Sequence, residues 1–161
     1  MPILDPEKAL RTLRKNPVIL QGLLRDVSQE QAVAATDGPD GWRVLFVVCH
    51  LRDFETIFLE RARRFLEEDT PHLARVDHEA LMTQNDYAGQ NLGEAFDEFV
   101  QRRRTFINVL EGLTESEWAR RGVHPSFGEG SLLDFAINTG LHDLNHIEQI
   151  VRALGLSEAF V

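Results

Sequence analysis

Apolar residues recur along this chain at helical spacing, and no segment shows the alternation of a strand or the signal of a hairpin. A first helix can begin at Asp5, with Pro6 in its first helical position and Glu7 in its first turn. Leu10, Leu13, Val18, Leu20, Leu23 and Leu24 supply its apolar positions. Pro17 lies inside, so a kink or restart after Asn16 is expected, because proline removes a backbone donor. Ser28 with Gln31 marks a short helix, which the turn Asp37-Gly-Pro-Asp-Gly41 ends. A second long helix is predicted from about Trp42 to Glu67, with Phe46, Val47, Phe54, Ile57, Phe58 and Phe65 facing the core.

A polar connection from about Thr70 to Asn91 follows and has room for one short helical piece. A third long helix spans roughly Gly93 to Leu110 and stops at Gly112. Thr114 and Glu117 form a capping box around the turn of Trp118. After the loop His124-Pro-Ser-Phe-Gly-Glu-Gly130, Ser131 and Asp134 cap a last helix that runs to about Leu154 and ends at Gly155. Four long amphipathic helices with a long crossover between the second and third predict an all-α four-helix bundle. At 161 residues, a single domain over 1–161 is expected.

Charge and composition narrow the partners. Seventeen basic and 26 acidic residues give a net charge of −9, which disfavours a phosphate-tracking surface, so no nucleic acid is expected. The triplets Arg61, Arg63, Arg64 and Arg102, Arg103, Arg104 fall on helices and read as mostly solvated faces with salt-bridge partners. No apolar stretch is long enough for a membrane helix, and no signal-peptide pattern follows Met1. Cys49 is the single cysteine, which suits a reducing cytoplasm.

The chemistry is carried by histidines. His142 and His146 stand four residues apart on the last helix, about 40° apart around its axis. Leu132, Ala136, Ile147 and Ile150 lie to one side of the pair, Gln149, Asn138 and Asn145 to the other. The pair therefore sits at the boundary between core and water. His50 falls in the middle of the apolar face of the second long helix. There its imidazole needs a partner, since an unsatisfied buried polar group costs about 1–3 kcal/mol. A His-x-x-x-His pair alone is common on exposed helices, and a lone core histidine is often satisfied by a carbonyl. The three together point to a divalent transition metal held by three imidazoles with positions left open.

The neighbouring residues carry weaker expectations. Asp53 is read as a solvated residue at the edge of the face, with a fourth ligand as the alternative. Asp143 projects into an apolar arc and is read as a structural acceptor for groups near Trp42 or Arg43. Arg43 is assigned a salt bridge in preference to an anionic substrate. His72, His78 and His124 are expected in exposed loops, and Cys49 is expected as a buried, inert thiol.

Gly41-Trp42 followed by His50-Leu-Arg-Asp53-Phe-Glu55, and the final helix His142-Asp-Leu-Asn-His146-Ile-Glu-Gln149-Ile, resemble the DinB/YfiT-like superfamily. The resemblance covers essentially the whole chain, including the helix order and the Gly-x-Gly-Ser loop before the last helix. It implies a four-helix bundle, usually homodimeric, with a site for a divalent ion such as nickel or zinc. The ligand positions of that family fall on His50, His142 and His146. Members with known activities include thiol transferases using bacillithiol or mycothiol, a maleylpyruvate isomerase and metal-dependent hydrolases. The expectation is therefore a metal-dependent enzyme acting on a small molecule, with a low-molecular-weight thiol as cofactor for S-transfer. The alternatives are a hydrolase using a metal-activated water and a non-catalytic, metal-binding dimeric bundle. The sequence assigns no catalytic residue beyond the ligands.

Overall fold

The computed structural model of the protein describes residues 3–157. In chain order the helices are α1 (Pro6–Leu24), α2 (Gln29–Ala34), α3 (Val44–Glu67), α4 (His78–Gln84), α5 (Leu92–Glu111) and α6 (Glu115–Trp118). Two short strands, β1 (Arg121–His124) and β2 (Gly128–Ser131), precede α7 (Leu132–Ala153). The four long helices form the expected bundle. α3 packs most extensively along α5, and α1 along α7, with α3 also meeting α7 and α1 meeting α5. Helices α1 and α3 thus lie across the diagonal, which leaves α3 and α7 side by side.

Local sequence explains the helix ends. Asp5 caps α1 by accepting from the amide of Lys8 at 2.9 Å. The reciprocal Ser131–Asp134 capping box opens α7, with bonds of 3.0 and 2.8 Å. Gly155, at φ +68°, closes α7 from the left-handed region, and the amides of Gly155 and Leu156 satisfy the carbonyls of Arg152 and Val151.

α1 passes through Pro17 without ending. Proline cannot donate to the carbonyl one turn back, which belongs to Leu13. Arg103 reaches across from α5 and donates to that carbonyl at 2.9 Å. The restart expected after Asn16 is absent because a side chain replaces the missing backbone bond.

The expected lack of a hairpin is overturned. β1 and β2 pair antiparallel, with Arg121 opposite Ser131 and His124 opposite Gly128. Neither strand has the β-branched alternation that marks a strand in sequence, so tertiary context supplies the pairing. The amide of Val123 donates to Pro71 and its carbonyl accepts from Leu73, so the crossover runs alongside β1. Gly122 lies flat on Phe65, and a Cβ there would stand 2.6 Å from the ring carbon Cε1. Gly122→Ala is expected to lower stability by about 1–3 kcal/mol through overpacking. Urea denaturation would show it, and an unchanged midpoint would contradict this packing.

α3 is the most enclosed helix. Every residue from Val47 to Glu55 is buried. Four of them, His50, Arg52, Asp53 and Glu55, are polar, so each must find a partner inside the bundle. Val18, expected inward on α1, is 67% exposed, because the face of α1 that meets the bundle runs through Leu13, Asn16 and Leu20 instead.

Candidate metal centre

α3 and α7 bring His50, His142 and His146 together. One ring nitrogen from each lies within 4.8 Å of the other two. The Nε2 atoms of His50 and His142 are 3.0 Å apart. Two imidazole nitrogens bound to one ion at ordinary bond lengths stand roughly 3.0–3.4 Å apart, so this pair is already at a shared-ligand spacing. His146 donates from Nδ1 to the side-chain carbonyl of Gln149 at 2.8 Å. That assigns its proton and leaves the Nε2 lone pair free.

His142 lacks such a tether. Its Nδ1 is buried without a hydrogen bond, and the Asp143 carboxylate stands off at 4.0 Å. Aromatic rings orient it instead: Phe54 stacks on it at 5.1 Å and Phe58 meets it edge-on at 5.2 Å. Trp42 lies parallel to His146 at 6.1 Å and edge-on to His50 at 5.1 Å. Three imidazoles in an aromatic enclosure, with no carboxylate or cysteine among them, are a donor set suited to a borderline divalent ion.

Electrostatics favours the neutral, ligating form. Burial, then the neighbouring His146, His142 and His78 rings, pushes His50 far below its ordinary range. Burial and then His142 bring His146 down to about 4. At neutral pH both present lone pairs without first losing a proton.

The cluster forms the floor of a cavity of about 820 Å³. Two histidines that the sequence placed in exposed loops border it, of which His78 is exposed as expected and His124 half-buried. His78 begins α4 and stacks on Phe54 at 5.4 Å, with its ring 5.4 Å from that of His50. His124 ends β1 and faces the same space. Neither carries a sequence signal, because the crossover and the hairpin that place them are irregular in sequence. His72 is exposed, as expected.

The carboxylates behave otherwise than expected. Asp53 is buried, not solvated: it accepts from Arg52 at 2.7 Å, Asn85 at 2.8 Å and Arg102 at 3.2 Å. Burial alone would raise its pKa, yet Arg52 and Asn85 hold it below the ordinary carboxylate value. With these partners it stands outside the histidine cluster. Asp143 is a structural acceptor, though its partners are not near Trp42 or Arg43. It pairs with Arg103 at 2.8 Å and accepts from Asn16 at 3.0 Å. Arg43 forms no salt bridge among the described residues and lies over the Phe46 ring at 5.6 Å.

In its triplet, read as a mostly solvated face with salt-bridge partners, Arg102 and Arg103 do form ion pairs, but Arg103 is not solvated. It is 1% exposed and also holds Glu55 in two bonds of 2.8 and 2.5 Å. Consecutive helical residues point about 100° apart, so one arginine of three turns inward. Glu55, Arg103 and Asp143 thereby tie α3, α5 and α7 together directly behind His142.

Cys49 is fully buried, and burial pushes its thiol up to about 12. It is expected to resist a disulfide reagent in the native state and to react once urea unfolds the chain. Rapid native labelling would contradict that burial.

The fold and site define a class: four-helix bundles that gather three imidazoles between two neighbouring helices at the floor of a cavity. The chain belongs to the DinB superfamily, whose family profile matches residues 12–150. A solved structure of YfiT from Bacillus subtilis superposes with a TM-score of 0.78 at 22% identity, covering 94% of this chain and 89% of that one. YfiT is described as a probable metal-dependent hydrolase with an unusual four-helix bundle topology. At that identity the likeness speaks for the fold. No curated protein matches the chain.

Proposed function

We propose that this protein is a metal-dependent hydrolase of small molecules, with His50, His142 and His146 as the metal ligands. The observation that carries the reading is the convergence of three imidazoles within 4.8 Å of one another beside an open cavity. The description of YfiT supports the same chemistry. Bound there, a divalent ion such as zinc or nickel supplies Lewis acidity, polarising an electrophile and lowering the pKa of a coordinated water or thiol. The chain's own residues set the conditions. Gln149 holds the proton of His146 on Nδ1. Trp42, Phe54 and Phe58 pack against the three imidazoles and set the directions of their rings. The Glu55–Arg103–Asp143 network fixes α3 against α7.

The size of the cavity favours a second reading. About 820 Å³ lies at the upper end of the range for small-molecule sites, enough for a low-molecular-weight thiol beside an electrophile. Cys49 is buried within the bundle core, so a thiol for S-transfer would come from such a cofactor. Membership of a homodimer in the cytoplasm belongs to the same proposal, supported by the motif resemblance and by the lone reduced cysteine.

The test is turnover of a panel of activated esters and amides by protein stripped with chelator and reloaded with one metal at a time, with and without added thiols. Hydrolysis that disappears on stripping and returns on reloading, without a thiol, supports the hydrolase. Turnover that requires the thiol favours transfer. Metal binding with no turnover in any arm would leave a non-catalytic bundle and overturn the proposal.

A further inference from the structure

Arg61, Arg75 and His124 gather on the cavity wall. Arg61 lies on α3 eleven residues beyond His50, a rise of roughly 16 Å along the helix. It is 8% exposed, and no carboxylate among the described residues pairs with it. Burial pulls its pKa down, and Glu60 alone works the other way. Its one firm bond runs from Nη2 to the carbonyl of Ala74 at 2.8 Å. A buried guanidinium ordinarily has an anionic partner.

His124 sharpens the imbalance. The amide of Ser126 donates to its Nδ1 at 3.1 Å, which assigns the proton of the neutral ring to Nε2. That Nε2–H faces Nη1 of Arg61 at 3.3 Å. Two donors therefore confront each other, an arrangement that a shared oxyanion would satisfy. Arg75, which donates to the Pro125 carbonyl at 3.1 Å, adds a second cation to this end. Both arginines act on His124 and, after burial, hold its pKa below the ordinary value. Of the carboxylates on the cavity wall, Asp77 caps α4 by accepting from the amide of Ala80 at 3.0 Å, and Glu79 lies in the first turn of that helix. Between Arg61 and the histidine cluster the same helix presents Phe54 and Phe58 to the cavity.

We propose that Arg61, with His124 and Arg75, binds a compact oxyanion of the substrate. The substrate class is then acids with an apolar or aromatic body, carrying a carboxylate or a phosphate. The oxyanion sits at the arginine end, the body lies against Phe54 and Phe58, and the reacting group is presented to the histidine cluster. This orientation rests on the function proposed above, whereas the oxyanion site itself does not depend on a metal.

The full-length protein would be titrated with benzoate, phenyl phosphate and benzamide, both chelator-stripped and metal-reloaded, by calorimetry and by NMR of the Arg61 Nε–H and His124 Nε2–H signals. In the stripped protein, the better of the two anions is expected to bind at least tenfold tighter than benzamide and to shift both signals. Whichever anion binds more tightly assigns carboxylate or phosphate. Arg61→Gln should reduce that anion to the affinity of benzamide, and the wild-type signals report the site even if this variant fails to fold. Equal affinity for all three ligands would overturn the proposal. So would anion binding that appears only after metal is restored, because the oxyanion would then be held by the metal. Anion binding in a protein that takes up no metal would sustain this inference while the hydrolase reading fails.

Discussion

Protein prepared without a histidine tag is expected to hold close to one divalent ion per chain, and His50→Ala or His142→Ala to lose it. In the proposed site each imidazole is one of three ligands, and the remaining pair cannot close the set. Gln149→Leu should behave differently. It removes only the acceptor that orients His146, a change expected to weaken binding by about 10- to 100-fold while stoichiometric loading survives at high metal. Elemental analysis and competition with a coloured chelator separate these outcomes. Undiminished metal in His50→Ala would place the ion elsewhere. Acid should act in the same direction on the metal-free chain. His146 titrates at about 4 when folded against 6.5 when unfolded, so below about 6.5 the unfolded state binds more protons. Stability is therefore expected to fall as pH drops from about 6.5 towards 4, a trend that urea midpoints across that range would follow.

Much of this was legible in the sequence, for identifiable reasons. The long helices announce themselves through Phe and Leu at helical spacing and through strong punctuation at Asp5, Ser131 and Gly155. The three histidines were found because two share one turn of α7 and the third interrupts an apolar face, a conflict that points to a site. What escaped depends on distant partners. Arg61 and Arg103 look like their solvated neighbours in a triplet, and only the packing of α3 and α5 turns them inward. Asp53 looks like an edge residue until Arg52, Asn85 and Arg102 close around it. The hairpin has only Val123 as a strand-forming residue to declare it, and relies on Phe65 and the crossover for its place. His78 and His124 border the cavity solely because of these two irregular segments.

Arg103→Met is expected to be the most damaging single substitution outside the metal ligands. It leaves Glu55 and Asp143 buried without their cation and deprives the Leu13 carbonyl beneath Pro17 of its donor. Breaking a buried pair by removing one partner costs about 3–5 kcal/mol. At roughly 2–4 °C per kcal/mol for a chain of this size, that corresponds to a fall in Tm of about 6–20 °C. The measurement belongs in chelator, so that altered metal binding does not enter the apparent stability. Arg104→Met, on the exposed side of the same turn, should change stability by no more than about 0.5 kcal/mol. The network's effect on the site can then be read separately. Burial pushes Glu55 up to about 7; burial is also the largest influence on Asp143, but Arg103, His142 and Asn16 together hold its carboxyl below the ordinary value. Arg103 is the foremost of the groups that keep this charge beside His142. Replacing Glu55, Arg103 and Asp143 together by Leu, Met and Leu should recover most of the lost stability, since no charge is then stranded. If that triple variant folds well but binds metal more weakly than wild type, the network positions His142. If it binds metal as tightly as wild type, packing against Phe54 and Phe58 suffices to hold the ring.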